Sequence, residues 1–178
     1  DGGTGGAIAF NNAGALTFED LTITNAASVN ITGSATLNDL ITTANPYTVT
    51  MTGAANTVTA DVDFLNTGLV TLGDGGGDAF LFTGGLAFTG NAASNLNSAI
   101  STNGNTANFG TGGVTLAGDS SVDTTNGGGV AAGANMTFGG LVTDGAGGFD
   151  LTLDGGTGGA IAFNNAGALT FTDLTITN

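Results

Sequence analysis

The segment DGGTGGAIAFNNAGALTFEDLTITN, residues 1–25, carries the pattern that decides the fold. Apolar residues occupy every second position in AIAF (7–10), ALTF (15–18) and LTIT (21–24), and glycine- and asparagine-rich stretches separate these runs. An alternation of period two is typical of a β-strand with one buried and one exposed face. Glycine and asparagine tolerate the backbone conformations of tight turns. The segment therefore predicts short strands joined by sharp corners.

The same alternation continues along the rest of the chain. Further runs are VNIT (29–32), YTVTMT (47–52), TVTADVDF (57–64), VTL (70–72), AFLF (79–82), LAFT (86–89), VTL (114–116), NMTF (135–138) and FDLTLD (149–154). No stretch shows an apolar stripe of period 3.6 over a helical length. We expect an all-β protein without significant helix, in which the alternating apolar residues, from Ile8 and Phe10 to Leu151 and Leu153, point inward.

The chain ends by repeating its beginning. Residues 154–178 match residues 1–25 except that Thr172 replaces Glu19. A sandwich or barrel would suit short strands with glycine turns, but a β-solenoid can restart its sequence because each coil accepts the next. We predict that residues 1–178 form one continuous parallel β-solenoid of roughly 20 residues per coil, with two or three strands in each. Residues 1–153 are then one long repeat and residues 154–178 the start of the next, as in a segment of a longer protein.

The composition argues against several classes of partner. The chain has 34 glycines, 14 acidic residues and a net charge of −14, and it contains no lysine, arginine, histidine or cysteine. A chain without side-chain cations cannot neutralise phosphates, which argues against nucleic acid as a partner. Attraction to an anionic membrane surface is not expected for the same reason. No run reaches the roughly 18 apolar residues of a membrane span, so membrane insertion is not expected.

The residue types also argue against catalysis. General acid–base and nucleophilic mechanisms use histidine, cysteine, lysine or carboxylates held in a shaped pocket, and the first three are absent. Carboxylate pairs serve glycosidases, although such pairs also occur on solvated strand faces. The pairs in this chain are Asp61 with Asp63, Asp74 with Asp78, and Asp119 with Asp123. We assign no catalytic residue and expect that the protein is not an enzyme.

One stretch raises the question of a metal. LGDGGGDAF, residues 72–80, is similar to the glycine–aspartate loops that bind calcium. A calcium site needs six to eight oxygen ligands, and the tandem nine-residue register of such loops is missing. Both a Ca²⁺ site at Asp74 and Asp78 and a plain glycine turn are compatible with the sequence. No other cofactor is expected.

Threonine pairs suggest a further alternative. They occur at Thr22/Thr24, Thr48/Thr50/Thr52, Thr57/Thr59 and Thr175/Thr177. On a flat solenoid face such pairs would form a lattice of hydroxyl groups, which is the device of ice-binding β-solenoids. Threonine is also a favoured outward residue of ordinary strands, and the spacing of these pairs along the chain is irregular.

Longer stretches resemble a class of very large secreted bacterial proteins. GALTFEDLTITN (14–25), GGVTLAGDSSVDTTNGGG (112–129) and GGLVTDGAGGFDLTLDGG (139–156) are similar in composition and rhythm to the β-strand repeats of filamentous-haemagglutinin-like adhesins and autotransporter passengers. The resemblance implies a right-handed parallel β-helix, secretion to the cell surface, and a role as rod, spacer or adhesive fibre. This chain departs from those proteins in lacking lysine and arginine, which leaves room for a specialised extracellular filament or sheath.

The expected function is therefore mechanical. We expect a structural repeat segment of a long extracellular fibre or surface stalk, forming a stiff and protease-resistant rod between or around cells. The ends of such a rod are open strand edges, so further copies of the chain are the expected partners, end to end or laterally. The alternatives are an adhesin surface that contacts carbohydrate or another cell, and an ice-binding face.

Overall fold

The structure is a computed structural model that describes residues 1–11, 14–90, 92–165 and 167–177. The described chain is all-β, without helix. Its strands, in chain order, are β1 Ala7–Phe10, β2 Leu16–Ile23, β3 Ser28–Ile31, β4 Ala35–Thr42, β5 Thr48–Met51, β6 Ala55–Val58, β7 Val62–Asp63, β8 Val70–Leu72, β9 Ala79–Phe82, β10 Leu86–Ala87, β11 Ser94–Leu96, β12 Ala99–Thr102, β13 Ala107–Asn108, β14 Val114–Leu116, β15 Ser120–Asp123, β16 Met136–Phe138, β17 Val142–Thr143, β18 Leu151–Asp154, β19 Ile161–Phe163 and β20 Leu174–Thr177.

The strands form three parallel sheets that wind into a β-solenoid. Sheet A has the order β1-β3-β5-β8-β11-β14-β17, sheet B the order β2-β4-β6-β9-β12-β15-β18-β20, and sheet C the order β7-β10-β13-β16-β19. The first two turns contribute β1 to β4 to sheets A and B, and from β5 to β19 the chain visits sheets A, B and C in turn. It makes about 8 turns of roughly 21 residues each. The predicted parallel β-solenoid is confirmed, and the sequence left open two or three strands per turn: the turns from β5 onward have three.

The register of the strands is maintained although the turns differ in length. In sheet A, Val29 pairs with Val49, and Val49 pairs with Val70. Between β15 and β16, by contrast, the chain inserts residues 124–135 at one corner. Parallel strands must align so that their backbone N–H and C=O groups form hydrogen bonds with the neighbouring strand. A corner, by contrast, can lengthen toward solvent with only a small loss of conformational entropy. Irregular spacing in the sequence therefore becomes a regular stack in space.

The core consists of inward columns that run along the axis. In sheet C a column of stacked rings joins Phe64, Phe88, Phe109, Phe138 and Phe163, with centroid separations of 4.9, 5.5, 4.8 and 4.9 Å. Aromatic rings at such separations attract one another beyond the gain from burial. The predicted inward residues are buried or packed against this core, which confirms the assignment from alternation.

Two predicted runs are divided differently in the structure. The run 57–64 is not one strand, because β6 ends at Val58 in sheet B and β7 starts at Val62 in sheet C. Alternation continues across this corner, so the sequence pattern alone does not reveal it. Conversely, the runs 15–18 and 21–24 merge into the single strand β2, which ends at Ile23.

Close approach of successive corners explains one use of glycine. A Cβ atom on Gly53 would lie 2.3 Å from the carbonyl oxygen of Gly33 in the preceding turn. No side chain fits there without moving one of the two backbones, so the tight stacking of these corners depends on glycine.

The two copies of the repeated segment occupy different sides of the solenoid. In the first copy, Ala7–Phe10 forms β1 in sheet A, whereas in the second copy Ile161–Phe163, equivalent to Ile8, Ala9 and Phe10, forms β19 in sheet C. The first copy continues as the unbroken strand β2, while the second copy turns a corner at Thr172, next to Asp173, before β20 begins. Nearly the same sequence is thus accommodated in two positions of the stack.

Candidate functional site

Aspartates line the corner between sheets A and B. Asp119 precedes β15, Asp150 precedes β18 and Asp173 precedes β20. The Asp119 Oδ1 atom accepts a hydrogen bond from the Asp150 backbone N–H at 3.0 Å, and the Asp150 Oδ1 atom accepts one from the Asp173 N–H at 3.1 Å. These two carboxylates each bind the amide of the next turn and stabilise the corner. We call Asp119, Asp150 and Asp173 the aspartate column.

The predicted calcium ligands lie on one turn of this corner. Asp78 is only 8% exposed, and its Oδ2 atom accepts hydrogen bonds from the backbone N–H groups of Asp74 and Gly75 at 2.8 and 3.2 Å. Its own N–H donates to the Gly75 carbonyl oxygen at 3.0 Å. The Asp78 carboxylate thus closes the turn by binding backbone N–H groups. Calcium binding at Asp74 and Asp78 stays a prediction.

The other acidic pairs are also engaged with the backbone. Asp63, in β7, accepts hydrogen bonds from the Thr89 N–H at 3.0 Å and the Thr89 hydroxyl at 2.5 Å, while Asp61 lies at the preceding corner. Asp123 accepts from the N–H groups of Thr125 and Gly127, both at 2.6 Å. Among the described residues, no group of three or more histidine, cysteine or acidic side chains is assembled as for a metal ion.

Sheet A carries a polar column on its outer face. The register aligns one outward residue from each successive turn: Asn30, Thr50, Thr71, Asn95, Thr115 and Thr143. Thr143 in turn bridges to Thr170. Only the stacking of the turns brings these residues into line, because their spacing in the sequence varies. We call the first six residues the threonine–asparagine column.

The neighbouring outward positions of sheet A do not continue this polar pattern. Two residues before Thr50 lies Thr48, but the equivalent position before Thr71 is Leu69 and the one before Thr143 is Leu141. Leu69 is 36% exposed and Leu141 is 42% exposed. A flat lattice of paired hydroxyl columns is therefore not formed along the whole sheet. The threonine–asparagine column is a single polar line with leucines beside part of it.

Inward residues of the first and last described turns are less buried than those of the middle turns. In the last turn, Leu174 is 37% and Ile176 is 50% exposed, whereas inward residues of the middle turns are almost fully buried. In the first turn, Ile8, Phe10 and Leu16 are only partly buried. The alternation predicted Ile8, Phe10 and Leu16 as inward, but only the stack shows that they lie in the first described turn.

Backbone hydrogen bonds between turns follow a fixed direction that depends on whether the residue points inward or outward. Amides of inward residues donate toward the following turn, as Val49 N–H does to the Leu69 oxygen at 2.9 Å and Leu151 N–H to the Asp173 oxygen at 3.0 Å. The amides of outward residues donate instead to carbonyl oxygens of the preceding turn, as Thr52 N–H does to the Ile31 oxygen at 2.9 Å. By this pattern β20 directs the backbone groups of Leu174 and Ile176 away from β18, the one strand it pairs with in the described sheet.

The described part of the chain contains no helix that is long and apolar enough to span a membrane. Comparison of the chain with protein-family models, with characterised proteins and with solved structures gives no match. The β-solenoid fold accordingly rests on the structure itself.

Proposed function

We propose that the chain is a structural repeat segment of a long extracellular fibre or surface stalk. The observation that carries this proposal is the continuity of the parallel sheets around one core through the described turns. Hydrogen bonds between turns lie along the axis, so a pull on the rod is shared among the sheets. On this proposal the chain acts mechanically and is not an enzyme.

Two further features support a rod outside the cell. Backbone that is paired on both sides in a sheet is a poor protease substrate, because cleavage requires local unfolding. The absence of lysine and arginine also leaves trypsin-like proteases without a cleavage site. The acidic side chains described above serve turns and corners, which is consistent with a structural role.

Electron microscopy with a specific antibody tests this proposal. Antibodies raised against the 178-residue chain should label filaments or stalks on intact, unpermeabilised source cells. Treatment of such cells with proteinase K should remove ordinary surface proteins before it removes the label. Labelling only after permeabilisation would contradict an extracellular role, and rapid loss of the label would contradict a protease-resistant rod.

An adhesive surface is the alternative within the same fold. The threonine–asparagine column is the observation that favours it, because a line of hydroxyl and amide groups can hydrogen-bond to carbohydrate. Glycan-array binding by the purified chain would support this alternative. In that case Thr71→Val and Thr115→Val, which remove two hydroxyl groups with little change in shape, should weaken the binding.

The same column keeps ice binding as a further alternative. Successive turns place its hydroxyl and amide groups at roughly the 4.8 Å spacing of neighbouring strands. Thermal hysteresis of a purified solution would support an ice-binding face. Its absence in a concentrated solution would leave the mechanical proposal as the better account.

A further inference from the structure

We infer that hydrogen bonds at one corner of the solenoid protect the Asn103–Gly104 and Asn126–Gly127 pairs from spontaneous deamidation, and that Asp123 protects the second pair. This protection is independent of whether the chain belongs to a fibre. Three features of the corner carry it: the stacking of the two pairs, the partners of the two glycine amides, and the charge of Asp123.

Asparagine followed by glycine is the dipeptide most prone to this modification. The glycine backbone nitrogen attacks the asparagine Cγ atom, the new C–N bond closes a cyclic imide, and the N–H proton leaves with the side-chain amide as ammonia. Water then opens the imide at either carbonyl and leaves aspartate or isoaspartate. Glycine permits the attack because it has no Cβ atom to hinder its nitrogen. The chain contains two such pairs, at residues 103–104 and 126–127.

The two pairs lie on successive turns at the corner that follows sheet B. Strand β12 ends one residue before Asn103, and β15 ends three residues before Asn126. These two strands are neighbours in the sheet, and Asn126 Nδ2 donates to Asn103 Oδ1 at 3.3 Å. Both asparagines and Gly127 are exposed, so water reaches the corner. Burial therefore does not protect these asparagines.

The Gly127 nitrogen is held by Asp123. Its N–H donates to the Asp123 Oδ2 atom at 2.6 Å. The other carboxylate oxygen, Oδ1, accepts hydrogen bonds from the N–H and the hydroxyl of Thr125, both at 2.6 Å. The Gly127 nitrogen must break its hydrogen bond before it can attack Asn126 Cγ. Deamidation thus requires a local opening of the corner.

The charge of Asp123 adds to this protection. The glycine nitrogen must lose its proton to attack, and it carries negative charge as it does so. A neighbouring carboxylate disfavours a second negative charge at the same place. Asp123 therefore opposes the reaction both by binding the N–H and by its charge.

The Gly104 nitrogen is held instead by the backbone. Its N–H donates to the Thr124 carbonyl oxygen of the next turn at 2.9 Å. Val130 of the inserted corner lies against this glycine, since a Cβ atom on Gly104 would be 2.7 Å from the Val130 Cγ1 atom. No side-chain substitution removes the carbonyl acceptor. Asn103 is therefore an internal control for any change made at Asp123.

Deamidation at this corner would disturb the stack in two ways. Each conversion adds a negative charge to a chain that already carries −14 and has no lysine or arginine to pair with it. The two new carboxylates would replace side-chain amides that now hydrogen-bond to each other. Isoaspartate also lengthens the backbone by one methylene group, which would shift the corner relative to its strands. Protection thus preserves both the charge and the register of these turns.

Peptide mass spectrometry measures the protection. The purified chain is incubated folded and, in parallel, unfolded in urea, at the same mildly alkaline pH and temperature. Chymotrypsin then cleaves after residues such as Phe109 and separates the two pairs, whereas trypsin would find no lysine or arginine. We expect both pairs to deamidate in urea and neither to do so in the folded chain over the same period. Equal rates in the two states would overturn the inference.

The Asp123→Ala variant tests the role of this carboxylate. We expect the deamidation rate at Asn126 to rise about 10- to 100-fold, the factor that corresponds to the loss of a hydrogen bond to a charged group. The rate at Asn103 should stay unchanged. Asp119→Ala is the matched control, because it removes a carboxylate that accepts the Asp150 N–H at another corner. It should change neither rate.

An unchanged rate at Asn126 in a folded Asp123→Ala variant, or an equal rise in the Asp119→Ala control, would contradict the assignment to Asp123. Circular dichroism shows whether both variants fold. Hydrogen exchange of the original chain needs no variant: the Gly127 amide should be protected, and exchange as fast as in the unfolded chain would refute the inference. None of these measurements depends on fibre formation, so their failure is distinct from a failure of the proposed function.

Discussion

Among the individual residues, the phenylalanines of sheet C show how single side chains join successive turns. Phe109 lies between Phe88 and Phe138, and its ring is nearly parallel to that of Phe138, at an angle of 3°. Every ring within this column is an inward residue of a different turn. The column therefore couples turns that are distant in the sequence, and its loss should affect the stability of the whole stack.

Phe109→Ala should lower the free energy of unfolding by about 3–5 kcal/mol, because it leaves a cavity between two rings. Phe163→Ala should cost less, since Phe163 is only partly buried and has one ring neighbour in the described structure. Urea unfolding followed by circular dichroism measures both. Equal decreases in the free energy of unfolding for the two variants would contradict the expectation that a ring between two others contributes more stability than a ring with one neighbour.

Asp78→Ala should destabilise the protein by about 1–3 kcal/mol even in EDTA, because two backbone N–H groups lose their acceptor. Asp74→Ala is the matched control, since Asp74 is exposed. Thermal unfolding with and without calcium measures the effect. If Asp78→Ala were destabilising only when calcium is present, the carboxylate would be a metal ligand rather than a turn-closing group.

Among the structural elements, the corners decide where one side of a turn ends and the next begins. The aspartate column marks one such corner, where Asp150 holds the amide of Asp173 at the start of β20. In the first copy of the repeat, Asp20 lies within β2, paired with Asp39 of β4. The same aspartate thus belongs to a corner or to a strand according to the turn it is stacked on.

Asp150→Ala should accelerate hydrogen exchange at the Asp173 amide, because this N–H loses its acceptor. Asp150→Asn should preserve protection, since the amide oxygen can accept the same hydrogen bond. Exchange measured by nuclear magnetic resonance distinguishes the two variants. Equal acceleration in both would mean that the charge of Asp150, and not its hydrogen bond, holds the corner.

Across the full solenoid, apolar columns and backbone hydrogen bonds must outweigh electrostatic repulsion. The chain has 14 acidic residues and no lysine, arginine or histidine to pair with them. In a stacked solenoid some of these charges lie directly above one another, as Asp123 and Asp154 do in sheet B. Repulsion of this kind opposes the compact state.

The melting temperature should therefore rise as sodium chloride increases from about 0.01 to 0.15 M, over which the screening length falls from about 30 to 8 Å. Differential scanning calorimetry at low protein concentration measures this change without a contribution from association. A fall in melting temperature over the same range would indicate attractive charge contacts that outweigh the repulsion.

Much of the fold follows from local physical chemistry. Alternation of period two in stretches such as AFLF and FDLTLD predicts strands and their inward residues, because successive side chains of a strand point to opposite faces. Recurrence of the first segment predicts a stack of turns. The lack of lysine and arginine predicts that nucleic acid is not a partner, and this stays a prediction. These inferences need no knowledge of which turn lies next to which.

Other properties depend on the tertiary structure. The repeated segment lies on different sides of the solenoid in its two occurrences, since each copy aligns with whichever turn it is stacked on. The threonine–asparagine and aspartate columns likewise arise from register between turns, not from spacing along the chain. Local pattern thus establishes strands, core and stacking. The assignment of each strand to a side comes from the stack, because backbone pairing between turns aligns residues that the chain separates by variable corners.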